Sequence, residues 1–319
     1  MNLKRLEFAE ARHDADWDRF VAASPQGTVF SSTAFLQSLG APFRRFVVYG
    51  SGGPLAQIAV VENGAGCAVR FPFTPYQGIL FAPGHSQPRQ RVADEFRLTE
   101  FAIERLVERY SSLELALSWA FYDLRPFLWH NHGVVGAPVF DATPRYTALL
   151  DLAGIDVDRY PADVRSCRRQ ELKKASAFES GESTDVDTFL DLYGRTFARQ
   201  DIALGDDRLD LVRNITTMAL QQGYGRLSAC RTPDGVAAMS LFLYDRTRAY
   251  YLFAANDPAL RHTGASTRLM FDNILEAKRR GLKELDFVGV NSPARGDFKL
   301  SFNPELKLYF DLTYGTAPS

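Results

Sequence analysis

The stretch from residue 250 to residue 302, YYLFAANDPALRHTGASTRLMFDNILEAKRRGLKELDFVGVNSPARGDFKLSF, contains a strand, a turn, a helix and a second strand, in that order. Residues 250–255 form an apolar run with the length and the β-rich composition of a strand. Apolar residues then recur at helical spacing over residues 269–277, and Gly281 is placed to end the helix. Residues 285–290 predict the second strand. The rest of the chain is organised around this unit.

The turn before the helix reads Arg261-x-Thr263-Gly264-Ala265-Ser266. A helix that begins just after a glycine turn offers unpaired N–H groups and a positive dipole end to an anion. The turn resembles the acyl-CoA-binding turn of the GNAT acyltransferases, Gln/Arg-x-x-Gly-x-Gly/Ala, although Ser266 replaces the last small residue. The resemblance implies that these five residues bind a donor cofactor. A glycine turn with no ligand fits the same residues.

Two further segments, Leu285-Asp-Phe-Val-Gly289 and Asp297-Phe-Lys-x-x-Phe302, are similar to the C-terminal signature of the FemABX branch of the GNAT superfamily. Members of that branch form amide bonds with aminoacyl-tRNA as the donor, as in the interpeptide bridge of peptidoglycan. Asn303 departs from the family pattern, which has glycine there. The long coiled-coil insertion of the Staphylococcal-type members has no counterpart here, because the sequence contains no heptad run, and shorter members of the branch lack it too.

Length and composition describe an ordinary globular protein. The chain has 319 residues, of which 46% are apolar and 24% charged, and the length favours two domains. The net charge of −1 gives no global attraction to nucleic acid, so a contact with tRNA must depend on a local patch. Three isolated cysteines favour a reducing cytoplasm. With no secretory signal or apolar span predicted, we expect a cytoplasmic protein with at most peripheral membrane contact.

A hairpin, strand, helix, strand pattern occurs twice. The first copy comprises residues 43–49, 55–61, 66–71, 92–110 and 113–119, and the second comprises residues 226–231, 236–244, 250–255, the helix after Ser266, and residues 285–290. The fold is therefore expected to be α+β, with two tandem GNAT-like domains, each a mixed, mostly antiparallel sheet flanked by helices. We expect an N-terminal domain over residues 1–155 and a C-terminal domain with the donor-binding turn over residues 156–319.

A basic helix is predicted over residues 164–175. The spacing of Arg165, Arg168 and Arg169 places their charges on one face, with Lys173 nearby. These four residues are candidates for contact with RNA or phosphate, although a solvated helix face explains them equally.

Amide formation from an activated ester or thioester requires a neutral amine and stabilisation of the tetrahedral oxyanion. It requires no metal and no covalent nucleophile. Lys299 is the leading candidate for charge stabilisation, because Phe298 and Phe302 could hold it near a reacting carbonyl, and the family resemblance associates a lysine in this segment with that role. Asp286 could accept a proton or cap the turn after its strand.

Several candidate substrate contacts remain open to a structural interpretation. Tyr250 could face a cleft or pack in a sheet, and Trp129 could form a substrate-facing wall or a structural corner. Arg195 and Arg199 flank the core stripe of a predicted helix. His130 and its neighbours lack a third ligand, so no metal site is expected.

Three functions fit these residues. The first is a FemABX-like transferase that moves an aminoacyl group from aminoacyl-tRNA to an amine of a peptidoglycan precursor or a small peptide-like metabolite. The second is an acyl-CoA-dependent N-acyltransferase, and the third is a non-catalytic GNAT-fold binding module. No tightly bound cofactor is expected. A broad basic channel would favour the first, a narrow pantetheine slot the second, and a solvent-facing Lys299 the third.

Overall fold

The computed structural model describes residues 5–63, 66–84 and 87–315. It divides into two compact units. Unit 1 comprises Met1–Arg145 and Leu308–Ser319, and unit 2 comprises Tyr146–Lys307.

Unit 1 has the first copy of the repeated plan. Its elements are β1 (Glu7–Glu10), α1 (Asp14–Ala23), a 3-10 turn (Val29–Ser31), α2 (Thr33–Ser38), β2 (Phe43–Gly50), β3 (Gly53–Glu62), β4 (Cys67–Val69), β5 (Ile79–Phe81), α3 (Pro88–Arg109), β6 (Ser112–Ala116), α4 (Arg125–Trp129) and β13 (Glu305–Tyr314), which crosses from unit 2. The strands follow the order β1-β2-β3-β4-β6-β13, with β5 also paired to β3. Apolar residues of α3, including Leu98 and Leu106, pack on this sheet and form the core.

Unit 2 has the second copy. Its elements are β7 (Phe140–Asp151), which begins in unit 1, α5 (Tyr160–Asp163), α6 (Ser166–Lys174), β8 (Glu179–Glu182), α7 (Val186–Ala198), α8 (Asp206–Gln221), β9 (Gly225–Thr232), β10 (Gly235–Tyr244), β11 (Arg248–Asn256), a 3-10 turn (Arg261–Thr263), α9 (Ala265–Arg279), β12 (Glu284–Asp286) and α10 (Pro293–Leu300). The order is β7-β12-β11-β10-β9-β8. Helix α9 covers this sheet with a buried face that includes Met270 and Ile274. The predicted α+β class is confirmed.

The predicted domain limits, 1–155 and 156–319, differ from the compact units in two ways. The units divide between residues 145 and 146, and residues 308–319 belong to unit 1. Strand β7 spans Phe140–Asp151, and the units divide within it. The last strand returns to unit 1, because Asp311 to Tyr314 of β13 pair with Ala116 to Leu113 of β6.

The strand predicted over residues 285–290 is shorter than expected. Only Glu284–Asp286 is a strand, and it pairs in parallel with Arg248, Ala249 and Tyr250 of β11. The prediction fails beyond Asp286 because two consecutive residues take left-handed backbone angles there, which end a strand. Strand β11 continues to Asn256 paired with β10 but no longer with β12, so β11 and β12 separate.

The separation coincides with an irregularity in β11. Leu241 of β10 pairs with Phe253 and its neighbour Phe242 pairs with Tyr251, so Leu252 is an extra residue in β11. Such a bulge bends a strand and redirects its side chains.

Candidate active site

The geometry of the donor turn requires a glycine at position 264. Gly264 has φ +85°, and a Cβ atom there would lie 2.6 Å from the backbone oxygen of Glu171 on α6. Glycine is needed both for the left-handed angle and for this close approach. Ser266 donates its hydroxyl to Asn256 Oδ1 at the end of β11. The turn is therefore tied to α6 on one side and to β11 on the other.

A carboxylate already lies at the start of α9. The hydroxyl of Thr267, in the first turn of the helix, donates to Glu171 Oε2 over 2.5 Å. Arg168 pairs with the same carboxylate at 2.8 Å. Lys174 of α6 donates to the carbonyl of His262 over 2.6 Å. The predicted basic helix thus packs on the donor turn and presents an acidic side chain to it.

The arginines of α6 make contacts within unit 2. Arg165 pairs with Asp297, Arg168 also stacks over Phe298 with its guanidinium carbon 5.0 Å from the ring centre, and Arg169 donates to the Val164 carbonyl. The interpretation as a purely solvated face is therefore incomplete. Their predicted role in RNA binding stays a prediction.

An open groove of about 610 Å³ lies beside this helix. Its lining includes Arg169, Lys173 and Arg268 as basic residues, Asp158 and Asp272 as acidic residues, and the apolar side chains of Leu172, Phe271 and Leu275. By contrast, the cavity beside Ser266 between α9 and β11 measures only about 10 Å³, which is room for about one water molecule.

The loop after β12 forms the second part of the site. Val288 has φ 47° and Gly289 has φ 70°. A left-handed angle is strained for a β-branched residue such as valine. The carbonyls of both residues accept hydrogen bonds from Lys299 Nζ, at 2.8 and 3.0 Å.

Lys299 is half-buried on α10, in the last turn. Burial lowers the pKa of Lys299 to about 7, while the Asp286 carboxylate acts in the opposite direction and Arg295 in the same direction. Its ammonium lies 5.6 Å from the ring centre of Tyr251 on β11. A lysine with this pKa changes its charge near neutrality, the range that favours groups that transfer protons at physiological pH.

The other candidate catalytic residues lie close to Lys299. Asp286 is fully buried and its Oδ1 accepts from Val288 N over 2.8 Å, which is the turn-capping role considered from the sequence. Phe298 packs edge-on against Phe302, with ring centres 5.2 Å apart. The structure thus brings Lys299, Asp286 and Phe298 together.

The candidate substrate residues are more dispersed. Tyr250 is fully buried and donates its hydroxyl to Asp245, and burial raises its pKa, so its position agrees with packing rather than with an open cleft. Arg195 pairs with Asp191 and Asp257, and Arg199 is exposed at the end of α7. Substrate contact stays a prediction for these residues.

Trp129 lies at the end of α4 in unit 1 and is 55% exposed. Its ring packs edge-on against Phe96 at 5.5 Å, and Arg125 stacks over both rings. This small exposed cluster is compatible with either interpretation made from the sequence, a corner or a wall.

Within the part of the chain that the structure describes, no group of three or more His, Cys, Asp or Glu side chains could hold a metal ion. In the same residues, no helix has the length and apolar character needed to cross a bilayer.

Residues 161–300, which contain the donor turn and Lys299, match the family described as "Acetyltransferase (GNAT) domain". This segment is a GNAT domain. The protein is an acyltransferase, as expected from the sequence.

Solved structures extend the fold to the whole chain. The crystal structure of FemX matches with a TM-score of 0.67 at 13% identity, covering 95% of this chain and 96% of that one. A tandem GNAT protein from the clavulanic acid biosynthesis pathway matches with a TM-score of 0.55 at 14% identity, covering 99% and 100%. The C-terminal domain of a putative lysylphosphatidylglycerol synthetase from Agrobacterium fabrum matches with a TM-score of 0.51 at 13% identity, covering 95% and 92%.

At these identities the likeness concerns the fold: the chain shares its fold with FemX and with a tandem GNAT protein, which confirms the tandem GNAT plan. A search of the curated proteins finds no match.

Sequence reasoning missed three parts of the site. Glu171 lies within a run of basic residues, and the segment was interpreted from their positive charge alone. Thr147, whose hydroxyl donates to Asp286 Oδ1, lies in β7, distant in sequence, and no local pattern marks it. The carbonyls of residues 288 and 289 are backbone groups, which sequence motifs do not report.

Proposed function

We propose that this GNAT protein forms an amide bond by transferring an aminoacyl group from aminoacyl-tRNA to the amine of a peptidoglycan precursor or a small peptide-like metabolite. The observation that carries the proposal is the position of Lys299 at the point where β11 and β12 separate. The FemX-like fold and the segment at residues 297–302 support the same reaction class. Because charged tRNA is a cytoplasmic donor, the reaction would take place in the cytoplasm.

In this reaction a neutral acceptor amine attacks the ester carbonyl, and a tetrahedral oxyanion forms. The ammonium of Lys299 stabilises that oxyanion. The C–N bond forms, the ester C–O bond breaks, and the terminal hydroxyl of the tRNA leaves with the proton lost by the amine. Because its pKa is about 7, Lys299 is charged in much of the population at neutral pH while its half-buried position limits competition from water.

The donor turn favours an RNA ester over acyl-CoA. A CoA diphosphate at the start of α9 would lie beside the carboxylate of Glu171, and the Thr267 hydroxyl and Arg168 guanidinium that could bind the diphosphate are already bound to that carboxylate. The cavity of about 10 Å³ beside Ser266 is smaller than a pantetheine chain needs. The larger groove that includes Arg169 and Lys173 offers basic side chains for a polynucleotide.

The test is amide formation from charged total tRNA or from a panel of acyl-CoAs, with a range of candidate amines. We expect product only with charged tRNA, abolished by RNase, and a kcat about 100- to 1000-fold lower in Lys299→Met. Lys278→Met is the matched control, because Lys278 also donates to a backbone carbonyl, that of Leu152, at the far end of α9. Product formed only from acyl-CoA, or equal loss in both variants, would contradict the proposal.

A further inference from the structure

The loop from Phe287 to Val290 is held by an unusually complete set of N–H contacts. Phe287 N donates to the carbonyl of Ala148 over 2.9 Å, and Val290 N donates to the carbonyl of Tyr146 over 3.0 Å. Both acceptors lie on β7. The two ends of the loop therefore remain attached to that strand after β12 itself has ended.

The two central N–H groups are bound by side chains. Val288 N donates to Asp286 Oδ1 over 2.8 Å, and Gly289 N donates to the hydroxyl of Thr147 over 3.2 Å. The same hydroxyl donates to Asp286 Oδ1 over 2.5 Å. Thr147 thus acts at once as acceptor and donor, and both it and Asp286 are fully buried.

These contacts determine where the two carbonyls point. With both N–H groups directed to Thr147 and Asp286, the left-handed angles at Val288 and Gly289 direct their oxygens to Lys299 Nζ. Strained angles at a functional site persist only where surrounding contacts hold them. We propose that Thr147 and Asp286 are positioning residues, which hold the Val288 and Gly289 carbonyls in place to orient the Lys299 amine for acyl transfer. The proposal rests on the function proposed above.

The charged and titratable groups around Lys299 come from three elements. Asp286 at the end of β12 favours the ammonium, Arg295 on α10 opposes it, and Tyr251 on β11 presents its ring face. Thr147 carries no charge of its own, so a change there reaches Lys299 through the two groups that its hydroxyl binds, Gly289 N and Asp286 Oδ1. Asp286 acts through both geometry and charge.

Thr147→Val keeps the size of the side chain and removes both hydrogen bonds of its hydroxyl, whereas Thr147→Ser keeps the hydroxyl. Thr216→Val is the matched control, because Thr216 is equally buried in unit 2 and its hydroxyl donates to the Val212 carbonyl within α8. Each variant is first checked for folding by circular dichroism and thermal unfolding.

The first readout is the titration of Lys299 in the substrate-free protein. Competitive labelling with acetic anhydride across pH, quantified by mass spectrometry of the Lys299 peptide, gives its titration midpoint. We expect wild type, Thr147→Ser and Thr216→Val to share a midpoint, and Thr147→Val to differ by about one pH unit or more. An unchanged midpoint in folded Thr147→Val would overturn the proposal.

Asp286→Asn provides a second variant, should Thr147→Val fail to fold. Loss of the carboxylate charge should move the midpoint below that of wild type, because that charge favours the ammonium. A midpoint equal to that of wild type would contradict the proposed coupling.

The second readout is kinetic. With charged tRNA, Thr147→Val should lower kcat about 10- to 100-fold with little change in KM, since a small displacement of a catalytic group has an effect of that size. Thr147→Ser should restore kcat. Wild type that transfers no aminoacyl group would refute the proposed function alone, because the labelling result still decides whether Thr147 and Asp286 position Lys299.

Discussion

The two units share one plan and differ at the same point in it. In unit 1, β4 and β6 pair in parallel through Cys67 with Ser112 and Ala68 with Leu113, as β11 and β12 do in unit 2. In both units a long helix, α3 or α9, precedes the second strand of the pair. The units diverge in the segments that lie next to this short parallel pair.

Unit 1 fills the space beside β6 with its own chain. Ala116 N donates to the carbonyl of Gln77, and the fully buried ring of Tyr76 packs edge-on against Trp119 with 4.7 Å between ring centres. Unit 2 instead places the left-handed loop and Lys299 at this point. In both units the shared topology leaves a space beside the short parallel pair of strands. The segment next to that space determines whether it is filled by core side chains, as in unit 1, or holds the candidate site, as in unit 2.

The largest effect on stability should come from removing the Tyr76 ring that fills this space in unit 1. Tyr76→Ala removes a fully buried aromatic side chain and should lower the free energy of unfolding of unit 1 by about 3–5 kcal/mol, measured by urea denaturation. Tyr122→Ala, at a tyrosine that is 53% exposed, should change it by less than about 0.5 kcal/mol. The labelling midpoint of Lys299 should stay unchanged in both. Similar losses in the two variants would show that the aromatic filling is not structural.

The next effect concerns the charge of Lys299 at the corresponding point of unit 2. The pKa of Lys299 is about 7 in the folded protein and about 10.4 in an unfolded chain. Between these values the unfolded state binds more protons, so folding stability should rise with pH. The contribution is a few kcal/mol at most, at about 1.4 kcal/mol per pKa unit.

Lys299→Met removes this contribution. The difference in unfolding free energy between wild type and Lys299→Met should therefore increase in favour of wild type from about pH 7 to about pH 10. A difference that is constant with pH, measured by chemical denaturation, would mean that Lys299 titrates as an exposed lysine.

The two ends of α9 allow a smaller effect to be measured. Gly264 and Gly281 have similar left-handed angles, φ 85° and 76°, but a Cβ would meet Glu171 only at Gly264. Gly281→Ala should lower the free energy of unfolding by about 1 kcal/mol through strain alone. Gly264→Ala should cost about 2 kcal/mol or more, because the contact with α6 is added. Equal costs would mean that α6 does not press on the donor turn.

The smallest effect should come from Val288. Val288→Gly relieves the strain of a left-handed valine, and should raise the free energy of unfolding by up to about 1 kcal/mol. Val290→Gly, whose φ is not left-handed, should lower it by about 1 kcal/mol, since glycine adds unfolded-state entropy there. Losses of similar size in both variants, by thermal unfolding, would argue against strain at Val288.

Local patterns in the sequence were sufficient for most of the fold. The helix after Gly264 and the hairpin of β9 and β10 follow from apolar spacing and turn residues, and both are present. The strand predicted over residues 285–290 failed beyond Asp286, because the apolar residues Val288 and Val290 look like a strand while distant contacts with β7 impose another backbone. Sequence periodicity does not report such long-range restraints.

The candidate site was predictable only where a family motif marked it. Lys299, Phe298 and Asp286 lie in that motif, and the structure brings them together. Thr147 and the two carbonyls that bind Lys299 are separated from it in sequence or belong to the backbone, so they required the three-dimensional structure. The role of Glu171 also required the structure, because it depends on the contact between Glu171 and the first turn of α9.

The return of β13 to unit 1 has a consequence for biosynthesis. Asp311 pairs with Ala116, so the sheet of unit 1 gains its last strand only after all of residues 146–307 have been translated. Residues of unit 2 are contiguous and can fold as soon as they leave the ribosome, whereas the first-made residues must wait for the last. The unit that bears Lys299 can thus fold while β6 still lacks its partner β13, and the unpaired side of β6 is available to a chaperone until β13 is made.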